Sequence, residues 1–368
     1  MTAVDSIVLF TAHDPGHGDE LWRSDGTPLG TVRVRDIHTG TVGSGADHMT
    51  AVDGGLFLGA NDGVHGTELW KSDGTLAGTV MVTDINPSGD SWPGFLTNVN
   101  GTLLFVADDD VHGKELWRSD GTPTGTVMVK DINPTGDSSP YGITNVNGIL
   151  YFQADDGSHG VEPWRSDGTP AGTLMVKDIN PAGDSNPGHF TDVNGTAFFV
   201  AYDDTHIHEV WKSDGTLTGT VMISDTTPDG LPPYDLTNVG GTLLYVERPG
   251  IVYELWKTDG TVAGTTKVKD IYSGIDMLYW PSQLTEVNGK LFFATDDDTH
   301  GDELWKRDGT MMGTMMVTDI NPSGPSNPAR LTNAKGTLYF AANDGTHGNE
   351  LWSLEVPVKA YLPLVLKN

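Results

Sequence analysis

Seven histidines in this 368-residue chain stand five residues before a tryptophan: His17, His65, His112, His159, His206, His300 and His347. A glutamate stands two residues before the tryptophan in all eight copies of the pattern, and an aspartate three residues after it in seven. Imidazole with carboxylate is a common set for general acid–base catalysis and for metal binding. Catalysis, however, needs a few groups in unequal roles, held in environments that drive their pKa values apart. A set repeated in every copy gives equal groups equal surroundings. It reads mainly as architecture: His ordering a turn, Glu holding backbone donors and Trp filling the space between sheets.

The loops just upstream of the tryptophans are the part of the pattern best suited to a metal. A-D-D-D-V-H-G from Ala107 and A-D-D-G-S-H-G from Ala154 present hard oxygen atoms on a short turn, which suits calcium better than a soft metal. The candidate ligands are Asp62, Asp108, Asp109, Asp155, Asp156, Asp296, Asp297 and Asp344. The ligand order of an EF-hand is missing, and Asp and Gly are also what tight loops use. Zinc is disfavoured, because each loop offers one His and the chain has no cysteine. Neither a phosphate loop opening a helix nor a G-x-S-x-G elbow occurs.

Positioning falls to an internal repeat. From Leu96 one unit runs L-T-N-V-N-G-T-L-L-F-V-A-D-D-D-V-H-G-K-E-L-W-R-S-D-G-T-P-T-G-T-V-M-V-K-D-I-N-P-T-G-D-S-S-P, and the next begins at Ile143. Eight units start near Met1, Met49, Leu96, Ile143, Phe190, Leu236, Leu284 and Leu331. They carry Trp22, Trp70, Trp117, Trp164, Trp211, Trp256, Trp305 and Trp352, at spacings of 45 to 49 residues. Within a unit, β-type runs alternate with Asn-Gly, an Asp/Gly/His loop and Asp-Gly, so three hairpins make a four-stranded meander. The N-P-x-G-D-S-x-P segment then leads to the next meander. The spacing predicts an all-β fold, a single β-propeller of eight four-stranded blades over residues 1–356. Seven blades and a β-solenoid are the alternatives. Residues 357–368 continue apolar after the pattern ends, and Pro363 is tolerable only at a sheet edge. This tail is expected as the outer strand of the last blade or as a strand linking copies.

The phrase E-L-W-K-S-D-G-T-L-A-G-T at Glu68 to Thr79, with its versions at Glu20, Glu115 and Glu303, resembles the ELWxxDGT repeat family of bacterial, predominantly exported proteins. The resemblance covers residues 1 to about 355. It implies a repeat array and export, and it implies no particular reaction. The chain departs from the family pattern at E-P-W from Glu162, at E-V-W from Glu209, and in the sixth unit, where E-R-P-G-I-V-Y-E-L-W replaces the Asp/His loop.

Fifty acidic residues against 21 basic give a formal charge of −29, which opposes nucleic acid and anionic membranes and favours cations or basic partners. No run of apolar residues is long enough to span a membrane, and no signal peptide is visible. If the protein is exported, its leader lies outside this numbering.

Between units, the residues entering each first strand vary. His48, Trp92, Phe95, Tyr141, His189, Tyr234, Tyr279, Trp280 and Arg330 are expected to form a partner face at one mouth of the propeller. The expected function is a non-enzymatic extracellular or cell-surface module that binds a glycan, a protein or copies of itself, with calcium as a candidate ion. A polysaccharide-acting lyase or glycosidase and a filament subunit linked by its tail are the alternatives.

Overall fold

The computed structural model describes residues 1–225, 231–248, 253–272, 282–296, 299–307 and 314–357. Every regular element among them is a β-strand. The strands form eight antiparallel sheets in sequence order, seven of four strands and the last of three, so the fold is a β-propeller of eight blades. In blade 3, Thr102–Asp108 pairs with Gly94–Val99 on one side and Lys114–Ser119 on the other, and Lys114–Ser119 pairs with Val127–Lys130. The last blade comprises Ala329–Ala334, Thr337–Asn343 and Asn349–Glu355. Its expected outer strand in 357–368 falls outside the described residues apart from Pro357.

The chain divides into two compact units. The first is residues 1–190 with 215–218, and the second is 191–214 with 219–368. Blades 1 to 4 belong to the first, and blades 6 to 8 with most of blade 5 to the second.

Local chemistry explains each blade. Asn100 and Gly101 both adopt positive φ, 51° and 84°, as a tight two-residue hairpin turn requires. In the S-D-G-T-x-x-G-T turn, the Asp73 carboxylate accepts from the Thr75 amide and hydroxyl at 2.8 and 2.7 Å. A Cβ on Gly78 would stand 2.1 Å from that carboxylate, which explains a glycine there.

The second strands read as continuous apolar runs because both of their faces are covered. Leu103, Phe105 and Ala107 pack with Phe57 and Leu69 of blade 2, whereas Leu104 packs with Leu150 and Phe152 of blade 4. Successive side chains on a strand point to opposite faces, so one strand serves two cores. The L-T-N-V dipeptide Thr-Asn stitches first strands together. Thr50 Oγ1 donates to the Leu96 carbonyl of the following blade at 2.8 Å, and Asn145 Nδ2 to the Asn98 carbonyl of the preceding one at 2.9 Å.

The recurring glutamate ties the third strand to the long N-P-x-G-D-S loop. Glu115, fully buried, accepts from the amides of Ile132, Asn133 and Ser138 and from the Ser138 hydroxyl at 2.6 Å. A buried carboxylate with several donors orders the loop that carries the chain onward. Burial dominates its titration, and in blade 4 it pushes Glu162 up to about 7.

Candidate functional site

The histidines and acidic loops meet as closed pairs. Asp109 Oδ1 accepts from the amides of Val111 and His112, and Asp109 Oδ2 meets His112 Nδ1 at 2.8 Å. The same contact joins Asp62 to His65, Asp156 to His159 and Asp344 to His347, each at 2.8 Å. Hydrogen bonding to Asp62, then its charge, raises the pKa of His65. Hydrogen bonds from His347 and from the His347 and Thr346 amides hold the Asp344 carboxyl at about 2.

The candidate calcium ligands in these loops are engaged in turn hydrogen bonds. Asp108 and Asp155 bond to the Asp110 and Gly157 amides at 2.8 and 2.7 Å, so their oxygens cap turns as the Asp62 and Asp109 type do. Asp296 lies beside Asp302, and Asp297 falls outside the described residues. Among the described residues no group of three or more His, Asp or Glu side chains is arranged to hold a metal ion. The same residues therefore read as turn caps.

The variable residues behave differently. At the entrance to the first strand the ladder register slips by one residue, between Tyr141 and Thr144 in blade 4 and at the matching places in blades 2, 3, 7 and 8. Such a β-bulge leaves one residue unpaired and bends the strand. That residue adopts left-handed φ throughout: His48 at 50°, Phe95 at 53°, Gly142 at 67°, His189 at 57°, Asp235 at 53°, Gln283 at 60° and Arg330 at 57°. Glycine occupies this conformation freely, whereas a side chain there costs about 1 kcal/mol. The threonine two residues on pins the bulge, with Thr97 donating to the Phe95 carbonyl at 2.9 Å and Thr332 to that of Arg330 at 3.0 Å. Six of the seven positions thus keep a side chain where glycine would be easier.

Within the first unit these turns gather aromatic surface. Trp92 is 63% exposed, Tyr141 59% and Phe95 39%. Trp92 precedes Pro93 and also has left-handed φ, 48°. The Phe95 and Tyr141 rings meet edge to face with centroids 5.0 Å apart. All three line one cavity of about 230 Å³ with Val106, Pro140, Ser139 and Lys114. Strained backbone that presents exposed rings around a hollow is a feature of binding sites rather than of packing.

The remaining expected face residues do not join that cavity. His48, His189 and Arg330 are exposed on their own bulges. Tyr234 corrects the expectation. It is half-buried, its hydroxyl has no hydrogen-bond partner among the described residues, and its ring packs 6.5 Å from that of Tyr253 in the core between blades 6 and 7. Blade 6 begins its first strand early, at Leu231, and the register slips twice, which turns this tyrosine inward. Tyr279 and Trp280 lie outside the described residues.

The tryptophans fall into two groups. Trp70, Trp164 and Trp211 are buried, and Trp22, Trp117, Trp256, Trp305 and Trp352 are half-buried. In the first unit the preceding blade covers two of the buried ones with a cation. Arg35 lies 5.8 Å from the Trp70 ring centroid and donates to the Thr79 carbonyl at 2.6 Å. Lys130 lies 5.5 Å from Trp164 and donates to the Thr173 carbonyl at 3.0 Å. Sequence reading missed these pairs, although the R or K closing the V-x-V-[RK] strand was their signal.

No protein-family model matches the chain. No curated protein matches it either. Among solved structures it is similar to a prolyl endopeptidase from a structural and mechanistic study of two such enzymes, 10% identical, TM-score 0.50, with 93% of this chain and 53% of that one covered. It is also similar to a puromycin hydrolase, 13% identical, TM-score 0.46, covering 84% and 52%. A third is the β-propeller domain of the Trilobed protease from Pyrococcus furiosus, 10% identical, TM-score 0.45, covering 84% and 95%. The chain spans about half the length of the first two proteins. At these identities the likeness is one of fold, and a shared fold does not carry a shared activity.

Proposed function

We propose that this propeller is a non-enzymatic binding module of the cell surface or extracellular space, and that it holds a glycan at the Trp92–Phe95–Tyr141 cavity. The observation that carries this reading is the cavity itself, three exposed rings on strained, asymmetric turns of an otherwise repetitive molecule. A flat indole offers an apolar face to the C–H face of a pyranose, while Ser139, the Tyr141 hydroxyl and Lys114 can reach its hydroxyl groups. The net charge of −29 disfavours acidic polymers, so the glycan is a neutral one. Resemblance to a family of predominantly exported repeat proteins supports the surface location, and the apolar run in 357–368 supports a second contact with copies of the chain.

The test is calorimetric titration with neutral cello-, malto- and manno-oligosaccharides, comparing the protein with Trp92→Ala. Saturable binding that weakens at least about tenfold in the variant, at unchanged melting temperature, supports the reading. Equal binding by both would remove the cavity from it.

A second reading, an enzyme acting on extracellular polysaccharide, has one observation on its side. Burial, followed by the charges of Asp296 and Glu303, raises Asp302 to about 6, which is in the range of a general acid. Release of reducing or unsaturated ends from those oligosaccharides, abolished by Asp302→Asn, would favour it.

A further inference from the structure

The repeats supply an internal template for a second site. Where blade 1 meets blade 2, and where blade 3 meets blade 4, a cation closing the fourth strand of one blade covers the tryptophan of the next. It also bonds the carbonyl of the threonine that ends the D-G-T-x-x-G-T turn, as Arg35 does with Trp70 and Thr79, and Lys130 with Trp164 and Thr173. Where blade 5 meets blade 6 in the second unit, the same register holds Ser224, Trp256 and Thr265. Ser224 has no charge to offer, and its hydroxyl turns away to Glu209 Oε2 at 2.8 Å. Trp256 is only half-buried, and a cavity of about 420 Å³ opens there, lined by Met222, Ile223, Ser224, Asp225, Trp256 and Thr265. Thr83 is also uncharged at its position in the first unit, so the cation is a device of individual junctions. Beside Ser224 the space is a cavity.

We infer that this cavity is a binding site for a guanidinium or primary ammonium group, supplied by an arginine or lysine side chain of a partner peptide. The bound group would take the place that Arg35 and Lys130 fill from within the chain. The Trp256 ring provides a π face. Trp256 Nε1 donates to Glu254 Oε2 at 3.0 Å, and Lys267 holds that glutamate's other oxygen at 2.9 Å, so the ring is fixed before a ligand arrives. Asp225 adds an exposed carboxylate at the rim, and the acidic molecule as a whole draws cations toward it. This site is independent of the aromatic cavity of the first unit, and either can fail without the other.

The probe is acetyl-Gly-Arg-Gly-amide, compared with its citrulline isostere and with free arginine amide. The readout is the indole N–H signal of Trp256 in two-dimensional NMR at low ionic strength, assigned from Trp256→Phe. The arginine peptide should shift that signal saturably, and citrulline should bind at least about tenfold more weakly. Asp225→Asn should weaken binding several-fold. Ser224→Lys should abolish it by refilling the place from inside. Because Ser224 also bonds Glu209, Val262→Arg gives a second way to fill the cavity from a residue that is 73% exposed. Free arginine amide binding as well as the peptide would assign the site to small cations, with the same chemistry. Equal binding of arginine and citrulline, no shift at millimolar peptide, or a Val262→Arg variant that binds like the parent would each overturn the inference.

Discussion

The junction between blades 3 and 4 and the junction between blades 5 and 6 are built from the same repeat, yet one is closed and the other holds a cavity. In the first, Lys130 covers Trp164, which is 5% exposed. In the second, Ser224 stands in place of the lysine, Trp256 is half-buried, and about 420 Å³ lies open beside it. The two junctions differ at one register, where the long stem and charge of Lys130 fill space that Ser224 cannot. In this fold, then, function is to be sought in departures from the repeat, while the repeated residues carry the blades.

That contrast predicts unequal losses. Trp164→Ala should cost about 3 to 5 kcal/mol in a denaturant melt, as for other large aromatic deletions from a core. Trp256→Ala should cost about 1 to 2 kcal/mol less, because part of its surface is already in water. Equal losses would mean that the open side of Trp256 is closed in solution. One step smaller, Lys130→Met should cost about 1 kcal/mol by removing the cation over the ring while keeping much of the stem. No change would reduce the pair to coincidence.

The pairing of His with Asp sets a pH profile that separates the repeated loops from the variable ones. Contact with Asp raises the pKa of His65, His112, His159 and His347. Their contribution is complete below the ordinary value of about 6.5 and is lost as pH climbs through the raised one. Glu162, at about 7 when folded, acts in the same direction, since the native state binds its proton more tightly. The partner aspartates act oppositely, and their stabilisation is lost as pH falls through their lowered values, about 2 for Asp344. Stability should therefore be greatest at about pH 4 to 5 and decline toward pH 8. Calorimetry showing a rise over that upper range would refute the His–Asp account. The smallest expected effect is that of chelation. With the loop carboxylates bound to amides and imidazoles, excess chelator should leave the melting temperature unchanged. A drop of several degrees would restore calcium to the loops.

Much of this architecture was legible in the sequence, because turn chemistry is local. Asn-Gly, Asp-Gly and a period in the forties specify hairpins and meanders with little help from tertiary context, and the eight sheets follow from them. The buried glutamates were legible as holders of backbone donors, though their partner, the serine of the N-P-x-G-D-S loop, was not. The acidic loops could not be assigned from sequence for a physical reason: an aspartate that caps a turn and one that binds calcium look alike until the donors around it are known. Trp92, Phe95 and Tyr141 could be picked out as variable aromatics, but their convergence depends on a bulge and on left-handed φ at non-glycine residues. No short motif announces that conformation. The cation–tryptophan pairs span 34 or 35 residues between neighbouring blades, and only the packing of those blades reveals them.

The claim that this propeller binds and does not transform its ligand can be tested in one measurement. The protein and Trp92→Ala would be incubated with neutral cello-, malto- and manno-oligosaccharides, and both the retained sugar and any newly formed ends would be quantified by mass spectrometry. The account predicts that sugar is retained by the protein, is lost from the variant, and is recovered at its original length. Shortened or unsaturated products formed by the protein but absent in Asp302→Asn would contradict it.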